Sequence, residues 1–288
     1  MDTAYPVHYY RYEFEKWKQI DSETIVEAPV TLTVNGEMWM TFMCTPVHLE
    51  ALAVGFLFNE GVIDGMDQVV DVRVCEHGDN VDVWLTHEAA KPKKWTRTSG
   101  CTGGVTSVDL MEEIRPGPAD QVVVTTDDFT LRPEQIGAMV DQLFDSQEMY
   151  KETGGVHTSG LSNGDEILIS AEDIGRHNTL DKIAGLSILR GGDLLSKPGT
   201  PRLLISTGRI SSEMLQKASR MGAPVLISRT SPSSLSIQMA QRRGITLIGY
   251  ARRQRFQVYS HGSRILGAPP HEDLGPGIRS TTSRLPER

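Results

Sequence analysis

The chain has 288 residues, with 29 Lys and Arg against 37 Asp and Glu, and its formal net charge is −8. Hydrophobic residues at 39% and charged residues at 23% are ordinary globular values, which exclude a chain that is disordered throughout and a long coiled coil. The acidic balance argues against nucleic acid or a membrane surface as a partner, because both attract an excess of Lys and Arg. No apolar run reaches the roughly 18 residues of a membrane span.

The sequence predicts a cytoplasmic protein. The first residues, from Met1 to Lys16, contain neither the basic nor the apolar region of a secretory signal. The three cysteines, Cys44, Cys75 and Cys101, are odd in number and widely spaced. This spacing is not that of a disulfide framework, and it indicates a reducing compartment.

The first segments predict an arm followed by a β-hairpin. Residues 1–20 mix aromatic and charged side chains without a period, which predicts a flexible arm. Residues 29–43 alternate around Asn35-Gly36, and these two residues supply the positive φ angles that a type I′ turn needs. A hairpin over residues 29–43 is therefore expected.

A helix and two more strands complete a β-rich N-terminal region, to which we assign residues 21–115. Thr45 suits the N-cap of the helix and Pro46 its first position, and an apolar stripe follows. The two strands are predicted at residues 69–74 and 81–85 because both segments are rich in valine.

The last part of the chain predicts an α/β domain over residues 116–266. After a short strand at 122–124 and a helix at 133–144, short apolar strands alternate with capped helices. The strands are predicted at residues 167–169, 203–206, 224–228 and 245–250, and the helices at 177–189, 211–221 and 232–243. Such βαβ units predict a parallel sheet covered on both faces. Residues 267–288, rich in Pro, Gly, Ser, Thr and Arg, predict a disordered tail.

Cys101 is the first candidate for chemistry. It lies in a long, Gly-rich loop, residues 86–120, whose basic residues before the cysteine are Lys91, Lys93, Lys94 and Arg97. Nearby positive charge lowers a thiol pKa and favours the reactive thiolate, while glycines allow the loop to move. The alternative is a bystander cysteine on a solvated basic loop. Cys44 and Cys75 lie in apolar, strand-like surroundings and are predicted to be structural.

Two further segments combine glycines with basic side chains and suit an anion. Residues 154–161 join paired glycines to His157, which could pair with a phosphate or act in proton transfer. Residues 206–213 lead from a strand through Gly208 and Arg209 into a helix N-terminus, a common phosphate site. The alternatives are an irregular turn with a satisfied histidine and an ordinary helix cap.

Two more polar segments follow predicted strands. Residues 172–182, with Arg176 and His177, enter a helix, where polar residues are usually caps. The other segment leaves the last apolar strand and carries three arginines; it consists of Tyr250, Ala251, Arg252, Arg253, Gln254 and Arg255. These arginines could clamp a pyrophosphate or form a solvated edge.

The common catalytic fingerprints are absent from the sequence. It contains no Walker A motif and no GxGxxG, so neither nucleotide fingerprint applies. There is also no CxxC or HExxH, which gives little support to a zinc site, and no nucleophile elbow is predicted. The residues alone therefore predict an α/β protein with one candidate reactive cysteine and several loops suited to anions.

Several strings, taken in order, resemble one family. The strings are Leu49-Glu50-Ala51-Leu52-Ala53-Val54-Gly55-Phe56-Leu57 with Glu60-Gly61-Val62-Ile63, Ser99-Gly100-Cys101, Gly154-Gly155-Val156-His157-Thr158, Glu172-Asp173-Ile174-Gly175-Arg176-His177-Asn178 and Ser206-Thr207-Gly208-Arg209. Together they resemble the FdhD family of formate dehydrogenase accessory sulfurtransferases. The resemblance runs from about residue 27 to about residue 259.

The resemblance implies a fold and a function. The fold would be similar to the cytidine-deaminase three-layer α/β/α sandwich without its zinc ligands, preceded here by the smaller β-rich region. Members of the family receive persulfide sulfur from a cysteine desulfurase and pass it to the molybdenum (or tungsten) bis(molybdopterin guanine dinucleotide) cofactor of formate dehydrogenase. The family's persulfide cysteine falls on Cys101, and its cofactor-binding segment falls on residues 250–255. A homodimer is also implied.

The hypothesis that follows is a sulfurtransferase in which Cys101 carries the sulfur and no metal is bound structurally. Arg209 and residues 250–255, together with Gly208 and His157, would hold the phosphates of the cofactor. Many members of the family carry CxxC at the Cys101 loop, whereas the fourth position here is Gly104. A relay between two neighbouring thiols is thus out of reach, and a one-thiol carrier is expected.

Two competing hypotheses belong to other classes. In the first, the chain is a non-catalytic cofactor chaperone for formate dehydrogenase, and Cys101 only docks. In the second, the chain is a zinc deaminase on the related fold, which predicts stoichiometric zinc; the sequence lacks the ligand spacing for it. Replacing Cys101 with Ser distinguishes the cofactor chaperone from a sulfur carrier, because a chaperone would keep supporting formate dehydrogenase activity.

Overall fold

The computed structural model describes residues 3–93, 96–97, 105–107, 129–191 and 202–269. In the N-terminal part the elements are β1 (Ala4–Glu13), β2 (Lys16–Ile25), β3 (Ala28–Val34), β4 (Glu37–Cys44), α1 (Leu49–Asn59), β5 (Val69–Val74), β6 (Asn80–Leu85), β7 (Thr96–Arg97) and β8 (Val105–Thr106). They are followed by α2 (Pro133–Asp145), α3 (Met149–Thr153), β9 (His157–Ser162), β10 (Ile167–Asp173), α4 (Arg176–Leu189), β11 (Leu203–Ser206), α5 (Ser212–Arg220), β12 (Val225–Ser228), α6 (Ser234–Arg242), β13 (Thr246–Arg252) and β14 (Arg255–Ser260).

The N-terminal residues form secondary structure where the sequence predicts an arm. β1 and β2 pair in antiparallel register from Ala4 opposite Ile25 to Glu13 opposite Lys16. The turn between them consists of Phe14 and Glu15, both at positive φ. The aromatic residues of β1 stand on both faces of the strand, and both faces are largely exposed, so burial leaves no apolar–polar pattern in the sequence. The expected flexibility of this segment stays a prediction.

A four-stranded sheet with the order β4-β3-β6-β5 forms the N-terminal layer. The predicted hairpin is confirmed: β3 and β4 are joined by Asn35 and Gly36 at φ 48° and 81°. The predicted helix start is wrong by about one turn, because α1 begins at Leu49. Thr45 is occupied elsewhere, since its N–H donates to Asp173 Oδ2 (3.1 Å) and its Oγ1 accepts from the N–H of Ile174 (3.2 Å).

A six-stranded sheet with the order β10-β9-β11-β12-β13-β14 forms the centre of the α/β part. Strands β11, β12 and β13 are parallel, as predicted, but β9, β10 and β14 pair antiparallel to their neighbours. The all-parallel prediction is therefore wrong. The glycine-rich segment interpreted as a turn contains β9, a buried strand next to β11, and small side chains there conceal the strand pattern. The predicted helices of this part are found within three residues of their expected limits.

Helices cover both faces of this sheet, which confirms the predicted α/β/α sandwich. Alternate residues of the parallel strands point to opposite sides: Leu204 and Leu226 pack with α4, α5 and α6, whereas Ile205 and Ile227 pack with α2. The first of these cores continues into the N-terminal layer and includes Val30. The boundaries of the predicted regions stay predictions, and the predicted strand at 122–124 lies outside the described residues.

Helices α1 and α4 cross in direct backbone contact. A Cβ on Gly55 would overlap the carbonyl oxygen of Asp181, and a Cβ on Gly185 would overlap the carbonyl oxygen of Ala51. Only glycine allows two helix backbones to approach this closely. The crossing joins the N-terminal layer to the α/β sandwich, because α1 packs on the four-stranded sheet and α4 on the six-stranded one.

The glycine crossing yields a stability prediction. We expect Gly185→Ala to lower the free energy of unfolding by at least about 2 kcal/mol, because the added methyl group forces the helices apart and overpacked cores lose roughly 1–3 kcal/mol or more. Gly262→Ala is the control, since its Cβ would lie 3.6 Å from Val258, an ordinary contact. Urea unfolding checks both variants, and equal stability of the two would contradict the account of the crossing.

Candidate functional site

The carboxyl ends of the parallel strands meet at one edge of the six-stranded sheet. Because β9 runs antiparallel to β11, the first residues of β9 reach the same edge. Backbone bonds tie the segments together: Thr207 N donates to Thr158 O (2.9 Å), and Tyr250 N donates to Thr230 O (3.0 Å). In open α/β sheets, ligands bind outside the carboxyl ends of the strands. We call this the carboxyl edge; it brings together His157, Gly208, Arg209 and Tyr250 to Arg252.

His157 and Arg209 lie in a strongly basic corner of the carboxyl edge. His157 is half-buried, and its Nδ1 lies 3.4 Å from Thr207 Oγ1. Burial lowers the pKa of His157, and the positive charges of Arg176 and Arg209 lower it further. The side chain of Arg209 is exposed. The two arginines therefore give the corner a positive charge even when His157 is neutral. A positive charge of this kind suits a phosphate.

Gly208 has a packing role that the sequence does not reveal. A Cβ at this position would lie 2.8 Å from the Cβ of Arg176, so only glycine lets the loop close over that arginine. The N–H of Gly208 donates to Ser206 Oγ (3.1 Å), and its carbonyl accepts from Ser228 Oγ (2.6 Å). Its backbone is thus engaged within the protein, and cofactor binding by Gly208 stays a prediction.

The segment from Tyr250 to Arg255 divides into residues with different surroundings. Tyr250, at φ 51°, is exposed, while Ala251 is fully buried in the core beneath it. Arg252 Nη1 donates to the carbonyl of Arg229 (2.5 Å). Arg253 pairs instead with Asp141 of α2 (3.2 Å), and Arg255 is exposed at the start of β14. The structure thus places Tyr250 and Arg252 at the edge, together with Arg209.

Arg229 is a residue that the sequence analysis missed. Its guanidinium lies 4.2 Å from the centre of the Phe144 ring, a cation–π geometry. Burial lowers its pKa, and the neighbouring charge of Arg252 lowers it further. The signal was available: Ser228-Arg229-Thr230 follows a buried strand, as Ser206-Thr207-Gly208-Arg209 does. Two arginines that repel each other at a strand end are stabilised by a shared anion.

The segment from Glu172 to Asn178 is held by hydrogen bonds and an ion pair within the protein. Glu172 accepts the N–H groups of Glu148 and Met149 at the start of α3 (2.9 and 2.8 Å). Asp173 is fully buried, and its carboxylate accepts from Lys182 (2.6 Å) and from Asn178 (2.9 Å). The carboxylates of this segment are thus saturated by protein donors, which indicates a structural role for them.

His177 is buried just behind the basic corner. Its Nε2 lies 3.1 Å from Ser211 Oγ and 3.2 Å from Glu213 Oε2, so the neutral ring can donate its N–H to the carboxylate. Burial lowers the pKa of His177 well below its ordinary value, and the charge of Arg176 lowers it further. His177 therefore positions the start of α5 and does not face the edge as an acid.

A buried ion pair continues the network toward α1. Lys217 Nζ lies 2.7 and 2.8 Å from the carboxylate oxygens of Asp181, which also accepts from Asn59 Nδ2 (2.8 Å). Burial disfavours the ammonium, but the carboxylates of Asp181, Glu213 and Glu60 together raise the pKa of Lys217. Lys217 stays charged, and the pair locks α5 to α4 and α1.

Cys101 lies outside the described residues, but both ends of its segment are described. Thr96 pairs with Thr106 and Arg97 with Val105, so β7 and β8 hold the two ends side by side. Glu60, at the end of α1, anchors this ribbon, because its Oε2 accepts from the N–H of Ser107 (2.8 Å), from its hydroxyl (2.8 Å) and from Thr106 Oγ1 (3.2 Å). No sequence pattern predicted this anchor.

The two described cysteines differ in their surroundings. Cys44 is fully buried, and burial, followed by the nearby charge of Asp173, raises its pKa to about 12. Its thiolate is therefore scarce at neutral pH. The Sγ of Cys75 donates to Asp79 Oδ1 (2.9 Å).

A cavity of about 410 Å³ lies apart from this edge. It opens between α1, β5 and the last turn of α4, and His48, Met66, Val72 and Leu186 are among its lining residues. Leu186 follows Arg176 by ten helical residues, which corresponds to roughly 15 Å along α4.

Among the described residues there is no group of three or more His, Cys, Asp or Glu side chains arranged for a metal ion. No helix in the described part is long and apolar enough to cross a membrane.

The buried histidine yields a pH prediction. Because the pKa of His177 in the folded protein lies well below 6.5, the unfolded chain binds more protons below that value, and the free energy of unfolding falls as the pH drops below 6.5. We expect His177→Gln to reduce this slope by up to about 1.4 kcal/mol per pH unit. Urea unfolding between mildly acidic and neutral pH measures the slope, and His8→Gln, on the exposed hairpin, is the control. An unchanged slope in His177→Gln would contradict the burial of a neutral ring.

The chain matches one protein family along most of its length. The sequence model of the FdhD/NarQ family matches residues 25–266. The chain is 33% identical over 259 residues to the sulfur carrier protein FdhD of Bacillus subtilis, covering 89% of this chain and 95% of that protein. It is also 33% identical over 258 residues to the sulfur carrier protein FdhD of Staphylococcus haemolyticus, covering 88% and 94%.

A solved structure agrees with these sequence matches. The crystal structure of a putative formate dehydrogenase accessory protein from Desulfotalea psychrophila superposes with a TM-score of 0.71 at 27% identity, covering 92% of this chain and all of that one. The resemblance found in the sequence strings is thereby confirmed in both sequence and fold. The chain belongs to the FdhD/NarQ family.

Proposed function

We propose that this protein is a sulfur carrier and sulfurtransferase that serves formate dehydrogenase. In this proposal Cys101 takes persulfide sulfur from a cysteine desulfurase and passes it to the molybdenum bis(molybdopterin guanine dinucleotide) cofactor, which is a bound substrate. The sulfur carrier names of relatives that match nearly the whole chain support this reading. So does the name of the Desulfotalea accessory protein.

The observation that carries the proposal is that one rigid body holds both ends of the Cys101 segment and the carboxyl edge. The ribbon of β7 and β8 is fixed to Glu60 at the end of α1, where Gln216 of α5 donates to the carbonyl of Asn59 (2.9 Å). The first turn of α5 lies beside His177 at the carboxyl edge. Four peptide units separate Cys101 from Arg97, so the two Cα atoms are at most roughly 14 Å apart. Cys101 is therefore tethered close to the body that carries the edge.

The carboxyl edge supplies the chemistry that a guanine dinucleotide requires. Arg209, Arg229 and Arg252 provide planar guanidinium groups, which bind phosphate oxygens with paired, charge-assisted hydrogen bonds. His157 contributes a neutral ring that can donate or accept, because its pKa is lowered by burial and then by Arg176. Arginine stacked on an aromatic ring, as Arg229 is on Phe144, is held in position before a ligand arrives.

The sulfur transfer balances with a single thiol. The Cys101 thiolate attacks the terminal sulfur of the desulfurase persulfide, a new S–S bond forms, and the desulfurase cysteine leaves as a thiolate. Release of that sulfur as sulfide returns Cys101 to a thiolate and consumes two electrons, which the metal of the cofactor or an external thiol supplies. Because Gly104 replaces a second cysteine, no disulfide within the loop competes with release.

The remaining partners are part of the same proposal. A cysteine desulfurase donates the sulfur, formate dehydrogenase receives the sulfurated cofactor, and the carrier acts as a homodimer in the cytoplasm. The acidic net charge of −8 is compatible with partners that are proteins and a small anionic ligand rather than nucleic acid.

The role of Cys101 predicts a mass change. After incubation with a cysteine desulfurase and free cysteine, we expect the intact protein to gain the mass of one sulfur atom, which a reducing thiol removes. Cys101→Ser should show no gain, and Cys75→Ser, which removes a partly exposed cysteine, should load like the wild type. No gain on the wild type, with a desulfurase shown to be active, would contradict the persulfide step.

The role of the carboxyl edge predicts nucleotide binding. We expect Arg209→Gln and Arg252→Gln each to weaken the binding of guanosine diphosphate by roughly 10- to 100-fold, since hydrogen bonds to charged groups contribute about 1.5–3 kcal/mol. Arg73→Gln is the matched control, because that arginine is exposed on β5 and pairs with Asp71. Calorimetric titration measures the affinity of all three variants for guanosine diphosphate. Equal affinities of the three variants would show that the carboxyl edge is not part of the cofactor site.

A further inference from the structure

Strand β5 ends the four-stranded sheet and leaves its outer side unpaired in the described part of the chain, where it pairs with β6 alone. Asn35 donates its N–H to the carbonyl of Val83 in β6 (3.0 Å), so the backbone of Val83 is turned toward β3 and away from β5. Val72 lies opposite Val83, and Val74 lies opposite Val81. Because opposite residues of an antiparallel pair alternate between bonded and non-bonded positions, Val72 and Val74 direct their N–H and C=O groups outward.

The other edge strand of the same sheet, β4, is protected by side chains. The carbonyl of Met38 accepts from Lys91 Nζ (2.7 Å), and the carbonyl of Met43 accepts from Asn178 Nδ2 (3.0 Å). No described side chain forms such a bond with the backbone of β5. The six residues of β5 include four valines and neither Pro nor Lys, which commonly protect an edge strand. The outer side of β5 is therefore suited to pairing with another extended strand.

An apolar cavity lies beside this strand. Its volume of about 410 Å³, between β5, α1 and the last turn of α4, is within the roughly 300–1,000 Å³ of ligand pockets. Met66, Val70 and Leu189 line it with 39%, 66% and 40% of their surfaces exposed. Val72 lies on the face of the sheet that α1 covers, so a residue opposite Val72 on an added strand would direct its side chain into the cavity. We call the outer side of β5 together with this cavity the β5 groove.

The charged residues of the β5 groove are acidic. Glu50 and Asp71 line the cavity, and no described Lys or Arg does. His48 lines it as well; burial lowers the pKa of His48, and the charge of Lys182 lowers it further, so the ring is neutral at neutral pH. Asp71 pairs with Arg73 (2.5 Å), which leaves the exposed Glu50 to meet the charge of a ligand. A ligand that carries Lys or Arg is therefore favoured over an acidic one.

We propose that the β5 groove binds an extended segment of a partner protein by strand addition. The segment pairs through its backbone with Val72 and Val74, places large apolar side chains from alternate positions in the cavity, and carries a Lys or Arg near Glu50. The contact goes beyond the sulfur-carrier proposal and does not depend on it. The length of α4 separates the β5 groove from the carboxyl edge, so the partner and a ligand at that edge can be bound at the same time.

Peptide selection followed by amide hydrogen exchange tests the proposal. The probe is a phage-displayed library of random dodecapeptides, selected on the full-length wild type. We expect the enriched peptides to have apolar residues at alternate positions and at least one Lys or Arg. When such a peptide saturates the protein, exchange of the Val72 and Val74 amide protons should slow at least about tenfold. Asp71 and Arg73 are internal controls, because their N–H groups face β6 and their exchange should change less.

Two variants block the β5 groove in different ways. Val72→Pro removes an outward N–H group and no hydrogen bond to β6, whereas Val70→Lys/Leu189→Lys places positive charges at the mouth of the cavity and leaves the backbone unchanged. Each should weaken the binding of a selected, fluorescently labelled peptide at least about tenfold, as fluorescence anisotropy measures. Met38→Lys is the matched control, since it places a lysine at an exposed apolar position of the other edge strand. Circular dichroism verifies that the variants are folded.

Each result decides the proposal. The absence of enriched peptides overturns it, and so does a selected peptide that binds Val70→Lys/Leu189→Lys as tightly as the wild type. Amide protons of Val72 and Val74 that are already protected in the wild type without peptide also overturn it, because the strand is then covered by the chain itself or by a second copy. Equal slowing of the outward and the inward amides would indicate general stabilisation and contradict strand addition. Slowing confined to Val72 and Val74, with weaker binding in both variants, supports the proposal.

Discussion

The crossing of α1 and α4 is the contact on which the rest of the structure depends. Gly55 and Gly185 let the two backbones touch, and the carbonyl groups of Asp181 and Ala51 occupy the space where side chains would stand. This approach brings Lys217, Asp181 and Asn59 into one buried hydrogen-bonded group. Breaking a buried ion pair by removing one partner costs about 3–5 kcal/mol, so the network also selects a single register between the helices. The N-terminal layer and the sandwich therefore behave as one body.

In the proposed function, that body gives the N-terminal layer a role in sulfur transfer. The end of α1 supplies Glu60, which holds the ribbon of β7 and β8, while α4 and α5 begin at the carboxyl edge with Arg176 and Ser212. A donor thiol and an anion site must approach each other repeatedly with the same geometry for transfer to be efficient. A rigid crossing between the anchor and the edge provides that geometry, and it does so with buried contacts rather than with residues of the site.

The sequence predicted the sandwich and most of its elements because short apolar strands and capped helices alternate clearly after residue 166. It failed where small or polar residues form strands: β9 reads as His-Thr-Ser-Gly-Leu-Ser, and its burial comes from neighbouring strands rather than from its own side chains. The helix start at Thr45 was mispredicted because a tertiary bond to Asp173 outweighs a local cap. Of the site, Arg209 and Arg252 were predicted from their positions after strands. Arg229 was missed although it follows a buried strand as Arg209 does, and its contact with Phe144 becomes visible only in the fold.

The central claim, that the chemistry depends on the Cys101 sulfur and not on cofactor binding alone, is tested most directly in cells. A bacterium that lacks its own sulfur carrier protein FdhD and has no formate dehydrogenase activity is supplied with the wild type or with Cys101→Ser at equal protein levels. The account predicts that the wild type restores formate dehydrogenase activity and that Cys101→Ser does not, although it still binds guanosine diphosphate. Full activity with Cys101→Ser would contradict the account and identify the protein as a cofactor chaperone.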